Sequence, residues 1–589
     1  MRSLRQGPAS SSAVIILLCV VTFIVTSHAF DAKDVDNVVR AAQACRSHTN
    51  PAVAVAVVKD GRVLLSRGYG VTRLQGNERV TSSTRFNIAS LSKAFAATLM
   101  LKVMVEDGRY NLSTKVRDIL GPDFRYGDDM RTKEATVEDL LSHKMAIPAN
   151  NRLRFNNNLT RANLKERLEY LHSPDAFRNI YIYSNLMYGL ATHMTEVVGN
   201  GRWEDLVRRH LFQPLKMKKS TFVKDVNFED SGIALPVRSY YGNLKRISPR
   251  LPPLWSELAG SGAVVSTADD MAKWMNFHLS KGRGPGGETI IAESTMAELY
   301  KPRTAMTSST MTKFRQPDVP VTLSYDVYSM GWRRGYYRGY PIVGHGGSSY
   351  GYRSLLTLVP SEKIGVFTTM SGGDSNYVLR GTLHAFLLDH ALDVQPWLNV
   401  STLCSFPAPW HNETSDRPTP PYSDKRPLRY NVSAYVGSYE NPAYGRVEVR
   451  EWEDSEDGSD DGREDSAHFT IFFGFGTWDL VQLPEPSSSS PASSSSSSST
   501  SLPSSSKPEK FFGKGRNVTA WVDYSPFVFH PLPAGSDVIV ELSVPGFEKR
   551  APPVFTRLGW ATSGGGTIAA FSGLLWSLAV FQVVSIVLM

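Results

Sequence analysis

A serine and a lysine three residues apart, Ser90 and Lys93, constrain this chain more than any other feature, because they lie where an extended stretch gives way to a helical pattern. Side chains three apart on a helix face the same side. A serine hydroxyl becomes a good nucleophile when a neighbouring group takes its proton, and burial beside positive charge lowers a lysine pKa enough for that task. Ser90 at a helix start also gains the positive end of the helix dipole. The pair predicts a nucleophile and its base, although an ordinary surface lysine would explain the pattern taken alone.

Tyr183 and Asn185 form a second group. In an extended loop, residues two apart point the same way. A phenol held beside a lysine can relay a proton to a leaving group, and an amide can donate a hydrogen bond to a substrate carbonyl without adding charge. The alternative for this motif by itself is a core tyrosine followed by a helix-capping asparagine.

His345, Gly346 and Gly347 form a third group, at the end of a predicted strand. The two glycines leave room for a substrate to lie beside that strand. The N–H of Ser348 can join the N–H of Ser90 as an oxyanion hole, where losing one donor lowers the rate about 100- to 1,000-fold. His345 can polarise a substrate carboxylate or assist proton transfer, and a structural histidine at a turn is the alternative. In this order, the three groups predict a serine acyl-transfer enzyme.

Composition divides the chain of 589 residues into two bodies and a connection. Residues 30–400 carry strand patterns near both ends and helical patterns between them, which predicts one sheet interrupted by a helical insertion, with a cleft between the two. The predicted elements are helices at 34–45, from 90, from 136 and at 377–392, mostly helical chain at 161–275, a hairpin at 53–68, and strands at 328–332, 342–345, 354–359 and 364–370.

Residues 401–427 are rich in proline and polar residues, which predicts a linker. The second body, 428–560, has short, evenly spaced strand patterns that predict a small antiparallel barrel or sandwich. Two insertions, acidic at 453–465 and serine-rich at 487–506, have too little apolar surface to offset the entropy of ordering, which predicts disordered loops. The acidic one lacks the ligand order of an EF-hand calcium site. The strand candidates are 446–452, 468–474, 478–483, 519–530, 537–543 and 554–558.

Both ends of the chain carry apolar runs. Residues 1–29 combine early arginines, a short apolar stretch and a small-x-small site, which predicts a signal peptide, with an uncleaved anchor as the alternative. Residues 561–589 begin with small residues and end in an uncharged apolar tail, which favours a glycosylphosphatidylinositol signal over a retained transmembrane helix. The chain is therefore expected in the secretory pathway and at the extracellular side of the cell membrane, held there by the tail or a lipid anchor. Six N-x-[ST] sequons are candidates for N-glycosylation: Asn111, Asn158, Asn399, Asn412, Asn431 and Asn517.

Cysteine content and charge narrow the classes of partner. Cys45 and Cys404 remain after removal of a signal peptide, and two thiols in an oxidising compartment can pair. They give no zinc signature, and no metal or organic cofactor is implied because the proton transfers need only side chains. The formal net charge of +8 is spread without a basic block, which argues against a nucleic-acid partner. The expected partner is a small-molecule or peptide substrate, and nothing in the sequence specifies an oligomer.

Residues 34–392 resemble the serine β-lactamase and penicillin-binding-protein superfamily, above all its class C-like branch of D-alanyl-D-alanine carboxypeptidases, D-aminopeptidases and esterases. The three groups carry the resemblance, supported by LLSHKMAIP at 140–148, AGSGAVVSTADDM at 259–271 and GHGGSSYGY at 344–352. The segment YVGSYENPAYG at 435–445 is similar to a lipocalin-like β-domain that follows the catalytic domain in some relatives. The resemblance implies an α+β fold, with a β-lactamase-like antiparallel sheet flanked by helices and carrying a helical insertion, followed by a small all-β domain.

The resemblance also implies roles for individual residues. Ser90 would be acylated, Lys93 and Tyr183 would share base and acid duty, and Asn185 would orient the substrate. His345 occupies the place of the lysine in the Lys-Thr-Gly box of true β-lactamases, which favours a peptidase or esterase over a β-lactamase.

Two further points follow from the resemblance. Ala146 stands beside the cleft where many relatives have glycine. The fold of the family places its first and last helices together on one face of the sheet, which would bring Cys45 near Cys404 and implies a disulfide between them.

The function expected from the sequence is an extracellular or cell-surface serine hydrolase that acts on an amide, peptide or ester through an acyl-enzyme on Ser90. One alternative is a hydrolase of β-lactams or small esters. Another is a non-catalytic surface protein for binding or assembly that keeps the fold.

Overall fold

The structure, a computed structural model, describes residues 30–45, 50–240, 243–306, 319–374, 378–410, 427–453, 467–482, 508–516, 525–532 and 538–559. The predicted signal peptide, the serine-rich insertion, nearly all of the acidic insertion and the C-terminal tail lie outside the described residues, as do the sequons at Asn412 and Asn517.

The described helices are short except for five of 12 residues or more, which cover the sheet or form the helical insertion. In chain order they are α1 (Ala32–Cys45), α2 (Ser92–Asp107), α3 (Val116–Leu120), α4 (Asp129–Glu134), α5 (Val137–Leu141), α6 (Leu164–Arg167), α7 (Asn185–Gly199), α8 (Trp203–Val207), α9 (Ala259–Gly262), α10 (Ala268–Leu279), α11 (Glu293–Glu298), α12 (Val378–Ala391), α13 (Val400–Ser405) and α14 (Val432–Tyr435).

The strands of the first body form one large sheet and two small ones. They are β1 (Ala52–Lys59), β2 (Arg62–Gly70), β3 (Phe86–Asn87), β4 (Thr221–Phe222), β5 (Val237–Tyr240), β6 (Asn243–Arg246), β7 (Val264–Ser266), β8 (Thr304–Ala305), β9 (Val327–Tyr328), β10 (Arg333–Tyr337), β11 (Tyr340–Ser349), β12 (Tyr352–Val359) and β13 (Ile364–Ser371). The large sheet has the order β2-β1-β13-β12-β11-β10-β9-β8, and every neighbouring pair is antiparallel.

Strand β1 shows why the sheet is covered on both faces. Its side chains are apolar at every position from Ala52 to Val58, and successive side chains point to opposite faces of a strand. Val53, Val55 and Val57 pack in one core with residues of α1 and α12, while the intervening positions pack in another core with residues of α2 and α10. The predicted α+β class, an antiparallel sheet flanked by helices with a helical insertion, is confirmed.

The second body is a closed antiparallel barrel in which the first strand pairs with the last. Its interior is filled by buried aromatic side chains, among them Tyr435, Phe469, Trp478, Phe511 and Phe529. The alternative of a sandwich is therefore excluded in favour of the barrel. Its strands are β14 (Gly437–Asn441), β15 (Gly445–Glu451), β16 (Phe469–Phe473), β17 (Gly476–Val481), β18 (Glu509–Gly515), β19 (Ser525–Pro531), β20 (Ile539–Ser543) and β21 (Val554–Arg557).

Several local predictions were wrong in detail. Of the strand expected at 328–332, only Tyr328 lies in a strand, as the last residue of β9, and 329–332 connect β9 to β10. The chain from 161 to 275, expected to be mostly helical, also contains β4 to β7. Strands β14 and β18 were not among the strand candidates. The first residues of the predicted linker form α13, which packs on α1 at the face of the sheet opposite α2.

Cys404 and four of the six predicted sequons lie within the described residues. Cys404 is disulfide-bonded, and its Sγ lies 4.0 Å from the carbonyl oxygen of Ala41. The side chain of Cys45 lies outside the described residues, so its pairing with Cys404 stays a prediction. The four described sequons, at Asn111, Asn158, Asn399 and Asn431, are exposed. None of the helices in the described ranges is long and apolar enough to span a bilayer.

Candidate active site

Ser90 is presented by a tight turn between β3 and α2. The chain forms a 3₁₀ turn over Ala89–Leu91 before the α-helix begins at Ser92, so the first turn differs from the α-helix predicted from Ser90 onward. Ala89 has φ +50°, a left-handed conformation that is strained for a residue with a Cβ and is found where the surrounding structure enforces it. Ser92 fixes this turn, because its hydroxyl donates to the Ala89 carbonyl and accepts from the N–H of Val264. Ser90 itself is partly exposed.

Lys93 lies fully buried one helical turn from Ser90. Its Nζ is 3.3 Å from Ser90 Oγ and donates to Asn185 Oδ1 at 2.6 Å and to the carbonyl oxygen of Ser261 at 2.9 Å. Burial, foremost, and the positive charges of Arg333 and Arg154 hold the pKa of Lys93 well below its usual range. An amine with a lowered pKa at this distance from a serine hydroxyl can accept its proton.

Tyr183 covers the lysine. Lys93 Nζ lies 4.7 Å from the centre of the Tyr183 ring, and this tyrosine is partly exposed. On its other side the ring lies 4.5 Å from that of His143 and 6.1 Å from that of His345. The phenol is therefore held between the base and the third predicted group, at the edge of the cleft.

Asn185 is the first residue of α7 rather than part of an extended loop, although Ser184 before it is extended. Its Oδ1 accepts from Lys93, and its Nδ2 donates to Asn151 Oδ1 at 2.8 Å. An amide nitrogen carries two hydrogens, so this arrangement leaves one for a substrate carbonyl. Asn185 thus holds the base as well as offering a donor.

His345 is buried, and both of its ring nitrogens have partners within the protein. Nδ1 lies 2.8 Å from the carbonyl oxygen of Gly346, which makes it the donor, and Nε2 lies 3.2 Å from the hydroxyl of Tyr328. Burial, foremost, and the charges of Arg333 and Lys93 lower the pKa of His345, so the ring is neutral. In this geometry His345 orients Tyr328, and direct contact of His345 with a substrate carboxylate stays a prediction.

Gly347 lies where β11 passes directly over the turn that carries Ser90. A Cβ at Gly347 would stand 2.1 Å from Ser354 Oγ and 2.3 Å from the carbonyl oxygen of Ile88. Only glycine permits this approach, which brings the end of β11 beside the nucleophile.

The peptide between Gly347 and Ser348 has a fixed orientation. The buried Arg380, ion-paired with Asp374, donates to the carbonyl oxygen of Gly347 at 2.6 Å and to that of Ser354 at 2.9 Å. In a trans peptide the C=O and the following N–H point in opposite directions. The N–H of Ser348 therefore points away from buried Arg380, as the predicted oxyanion hole requires, and Ser348 is exposed.

Several site residues were not predicted as such. His143 lies in the segment quoted for the family resemblance, is buried, and accepts from the N–H of Ser184 at 3.2 Å, which supports the loop of Tyr183. Arg333, on β10, and Arg154, in the turn Asn151–Phe155, supply positive charge. A basic residue on a loop carries no local pattern that would distinguish it from a surface residue.

Arg154 belongs to a small polar and aromatic cluster at the end of β11. Its Nε donates to the Tyr350 hydroxyl at 2.7 Å, and its guanidinium lies 4.1 Å from the Trp255 ring. Trp255 in turn donates to Ser349 Oγ at 2.8 Å. Among the described residues, no group of three His, Cys, Asp or Glu side chains could hold a metal ion.

Known proteins resemble this chain over the body that carries these residues. The family model described as Beta-lactamase matches residues 35–387. Unguisins hydrolase ungD from Aspergillus violaceofuscus (strain CBS 115571) is 26% identical over 422 residues, which cover 68% of this chain and 73% of the relative. Gigasin-6 from Magallana gigas is 29% identical over 239 residues, which cover 40% of this chain and 79% of the relative.

A solved structure resembles both bodies of the chain. The octameric penicillin-binding protein homologue from Pyrococcus abyssi superposes with a TM-score of 0.52 at 16% sequence identity, and covers 89% of this chain and all of that one (100%). This likeness supports the fold across the catalytic body and the barrel.

Proposed function

The chain belongs to the beta-lactamase family and is a serine hydrolase of that fold, and from that premise we propose that it hydrolyses an amide, peptide or ester through an acyl-enzyme on Ser90. The observation that carries the proposal is the buried Lys93 amine, 3.3 Å from Ser90 Oγ and with a lowered pKa. A neutral amine at this position can accept the serine proton, which a charged surface lysine cannot.

Acylation follows from this arrangement. Lys93 takes the proton of Ser90 as Oγ forms a bond to the substrate carbonyl carbon, and the N–H groups of Ser90 and Ser348 receive the negative charge that develops on the carbonyl oxygen. Tyr183, 4.7 Å from Lys93 Nζ when measured to its ring centre, passes a proton to the leaving amine or alcohol as its bond to carbon breaks. Asn185 donates to a carbonyl of the substrate.

Deacylation uses the same groups in reverse. A water molecule gives a proton to the Lys93–Tyr183 pair and attacks the ester carbon, and Ser90 Oγ leaves with a proton to restore the resting enzyme. The products are a carboxylic acid and an amine or alcohol. The positive charges of Arg333 and Arg154 near Lys93 favour negative charge in the cleft throughout.

The place of action belongs to the proposal as well: the secretory pathway, ending at the extracellular side of the membrane. The signal-peptide pattern, the exposure of the four described sequons and the disulfide at Cys404 support it.

The test compares hydrolysis of paired chromogenic amides and esters of the same D- or L-amino acid, with a chromogenic β-lactam alongside. We expect turnover of an amide or ester, little of the β-lactam, and loss of turnover in Ser90→Ala. Ser361→Ala, an exposed serine at the far end of β12, is the matched control and should remain fully active. Full turnover by Ser90→Ala would overturn the mechanism. Turnover of the β-lactam without turnover of any amide or ester would show that the substrate is a β-lactam instead.

A further inference from the structure

The turn Asn151–Phe155, with Asn150 before it, lies between the catalytic residues and the barrel. On the catalytic side, Asn151 Oδ1 accepts from Asn185 Nδ2 at 2.8 Å, and Asn185 Oδ1 in turn accepts from Lys93 Nζ at 2.6 Å. The orientation of Asn185, and with it the position of the amine, therefore depends on where this turn holds Asn151.

The other side of the turn is held by residues of the barrel. Tyr444, at the hairpin between β14 and β15, donates from its hydroxyl to Asn150 Oδ1 at 2.8 Å. Glu548, in the connection from β20 to β21, accepts from the N–H of Asn150 at 2.9 Å. The N–H of Phe475, at the hairpin between β16 and β17, donates to the carbonyl oxygen of Phe155 at 3.0 Å.

Close packing accompanies these hydrogen bonds. A Cβ at Gly474 would lie 1.7 Å from the Phe155 carbonyl oxygen, so the barrel hairpin approaches the turn as closely as backbone allows. Phe155 is fully buried, with its ring 6.3 Å from that of Trp478 inside the barrel. The contact is that of a shared core rather than of a loosely tethered domain.

The turn needs these partners. It is a single 3₁₀ turn in which Asn150 adopts a left-handed conformation, with φ +47°. The N–H of Asn150 and the carbonyl of Phe155 find their hydrogen bonds on the barrel, and a buried backbone group that loses its partner destabilises the conformation that buries it. Without the barrel, the turn would lose the contacts that define its conformation.

We infer that the barrel is a working part of the active site: Tyr444 and Glu548 are positioning residues that hold the turn so that Asn151 orients Asn185 and Asn185 orients Lys93. The inference rests on the proposed function, because it assumes that Lys93 serves Ser90. A catalytic group displaced by 1 Å loses about 100-fold in rate, so loosening the turn affects chemistry more than binding.

The test uses the secreted chain with its barrel, residues 30–560, and a fluorophosphonate probe whose labelling of Ser90 is followed by intact mass. The labelling rate at saturation and the probe concentration at half-saturation are measured separately. We expect Tyr444→Phe, which keeps the ring and removes the donor to Asn150, to lower the saturating rate about tenfold and to leave the half-saturating concentration within about twofold of the wild-type value.

A matched control lies at the same interface. Arg550 pairs through its side chain with Asp175 at 2.9 Å between the two bodies. Its backbone N–H donates to Glu548 Oε1 at 3.1 Å, and Arg550→Gln keeps that N–H. Arg550→Gln should label at the wild-type rate. If it slowed labelling as much as Tyr444→Phe does, the effect would belong to the interface in general and the inference would be overturned.

A double-mutant cycle separates positioning from general stability. If Tyr444 acts through Asn151, the double variant Tyr444→Phe with Asn151→Ala should lose no more rate than the slower single variant, since both break one chain of contacts. The inference would be overturned if the rate losses of the two single variants multiplied in the double variant, or if Tyr444→Phe labelled at the wild-type rate. In either case, labelling that depends on Ser90 would still support the proposed function. Labelling unaffected by Ser90→Ala would instead remove the proposed function itself.

Discussion

Lys93 is fully buried, and the hydrogen bonds of its amine within the described residues go to Ser90, to an amide oxygen and to a backbone carbonyl. A protonated lysine in such a place is unfavourable, because burial penalises the charge and the positive charges of Arg333 and Arg154 repel it. The neutral form that catalysis needs is therefore the form that the fold favours.

The variant Lys93→Met tests whether the Lys93 amine is the base. We expect the rate of Ser90 acylation to fall about 100- to 10,000-fold, the range that a general base contributes, while the melting temperature stays the same or rises because a buried amine is gone. Lys102→Met is the control and should keep full activity, since this half-buried lysine of the same helix pairs with Glu106 and donates to the carbonyl oxygen of Ile290. If Lys93→Met kept the wild-type acylation rate, a residue other than Lys93 would have to be the base.

The pH dependence follows from the same group. Because the pKa of Lys93 is lowered from 10.5, the acylation rate should rise with pH through a limb well below pH 10.5, and Lys93→Met should lack that limb. Between the lowered pKa of folded Lys93 and the value of 10.5 for an unfolded lysine, the unfolded chain holds a proton on Lys93 that the folded chain lacks. The free energy of unfolding therefore rises with pH in this interval. A wild-type limb at the position of free lysine would contradict the burial of this amine.

At the scale of elements, the crossing of β11 over the Ser90 turn would set the geometry of the proposed oxyanion hole. Gly347→Ala places a Cβ 2.1 Å from Ser354 Oγ and 2.3 Å from the Ile88 carbonyl oxygen, so the strand has to move away from the turn. We expect acylation to fall at least tenfold and the free energy of unfolding to decrease by about 1–3 kcal/mol.

Gly373→Ala is the control for this substitution, since a Cβ there meets nothing within 4 Å, and it should retain both activity and stability. The two variants are compared by probe labelling and by thermal melting. If Gly347→Ala and Gly373→Ala had the same labelling rate and the same melting temperature, the close approach of β11 to the Ser90 turn would not be required for acylation or stability.

The elements also show what the sequence could and could not predict. The spacing of Ser90 and Lys93 and the hairpin at 53–68 are local patterns, and the structure has Lys93 Nζ within 3.3 Å of Ser90 Oγ and β1 paired with β2. Asn151 and Arg154 were missed because they lie on a turn whose conformation is held by barrel residues far along the chain, where no periodicity connects the two. Ala146 was noted as a departure from glycine, and its φ of +54° explains why glycine is usual at that position.

At the scale of the whole molecule, the disulfide-bonded Cys404 lies where the chain leaves the catalytic body for the barrel, and its predicted bond to Cys45 would close that body. Helix α13 packs against α1, on the face of the sheet opposite α2 and Ser90. The bond is thus expected to stabilise the body without contact with the catalytic groups.

Cys404→Ser should lower the free energy of unfolding by about 2–4 kcal/mol, the usual contribution of a disulfide, and leave the acylation rate of the folded protein unchanged. Peptide mapping without reduction should recover Cys45 linked to Cys404. Alkylation of both thiols without a reductant would contradict the pairing, and a slower acylation rate would contradict the separation of this bond from the site.

Intact-mass measurement of residues 30–560 after reaction with a fluorophosphonate shows whether Ser90, activated by Lys93, forms a covalent adduct. We expect a single adduct on the wild-type protein, none on Ser90→Ala, and much slower formation on Lys93→Met. A folded wild-type protein without an adduct, or an adduct that persists in Ser90→Ala, would contradict this expectation.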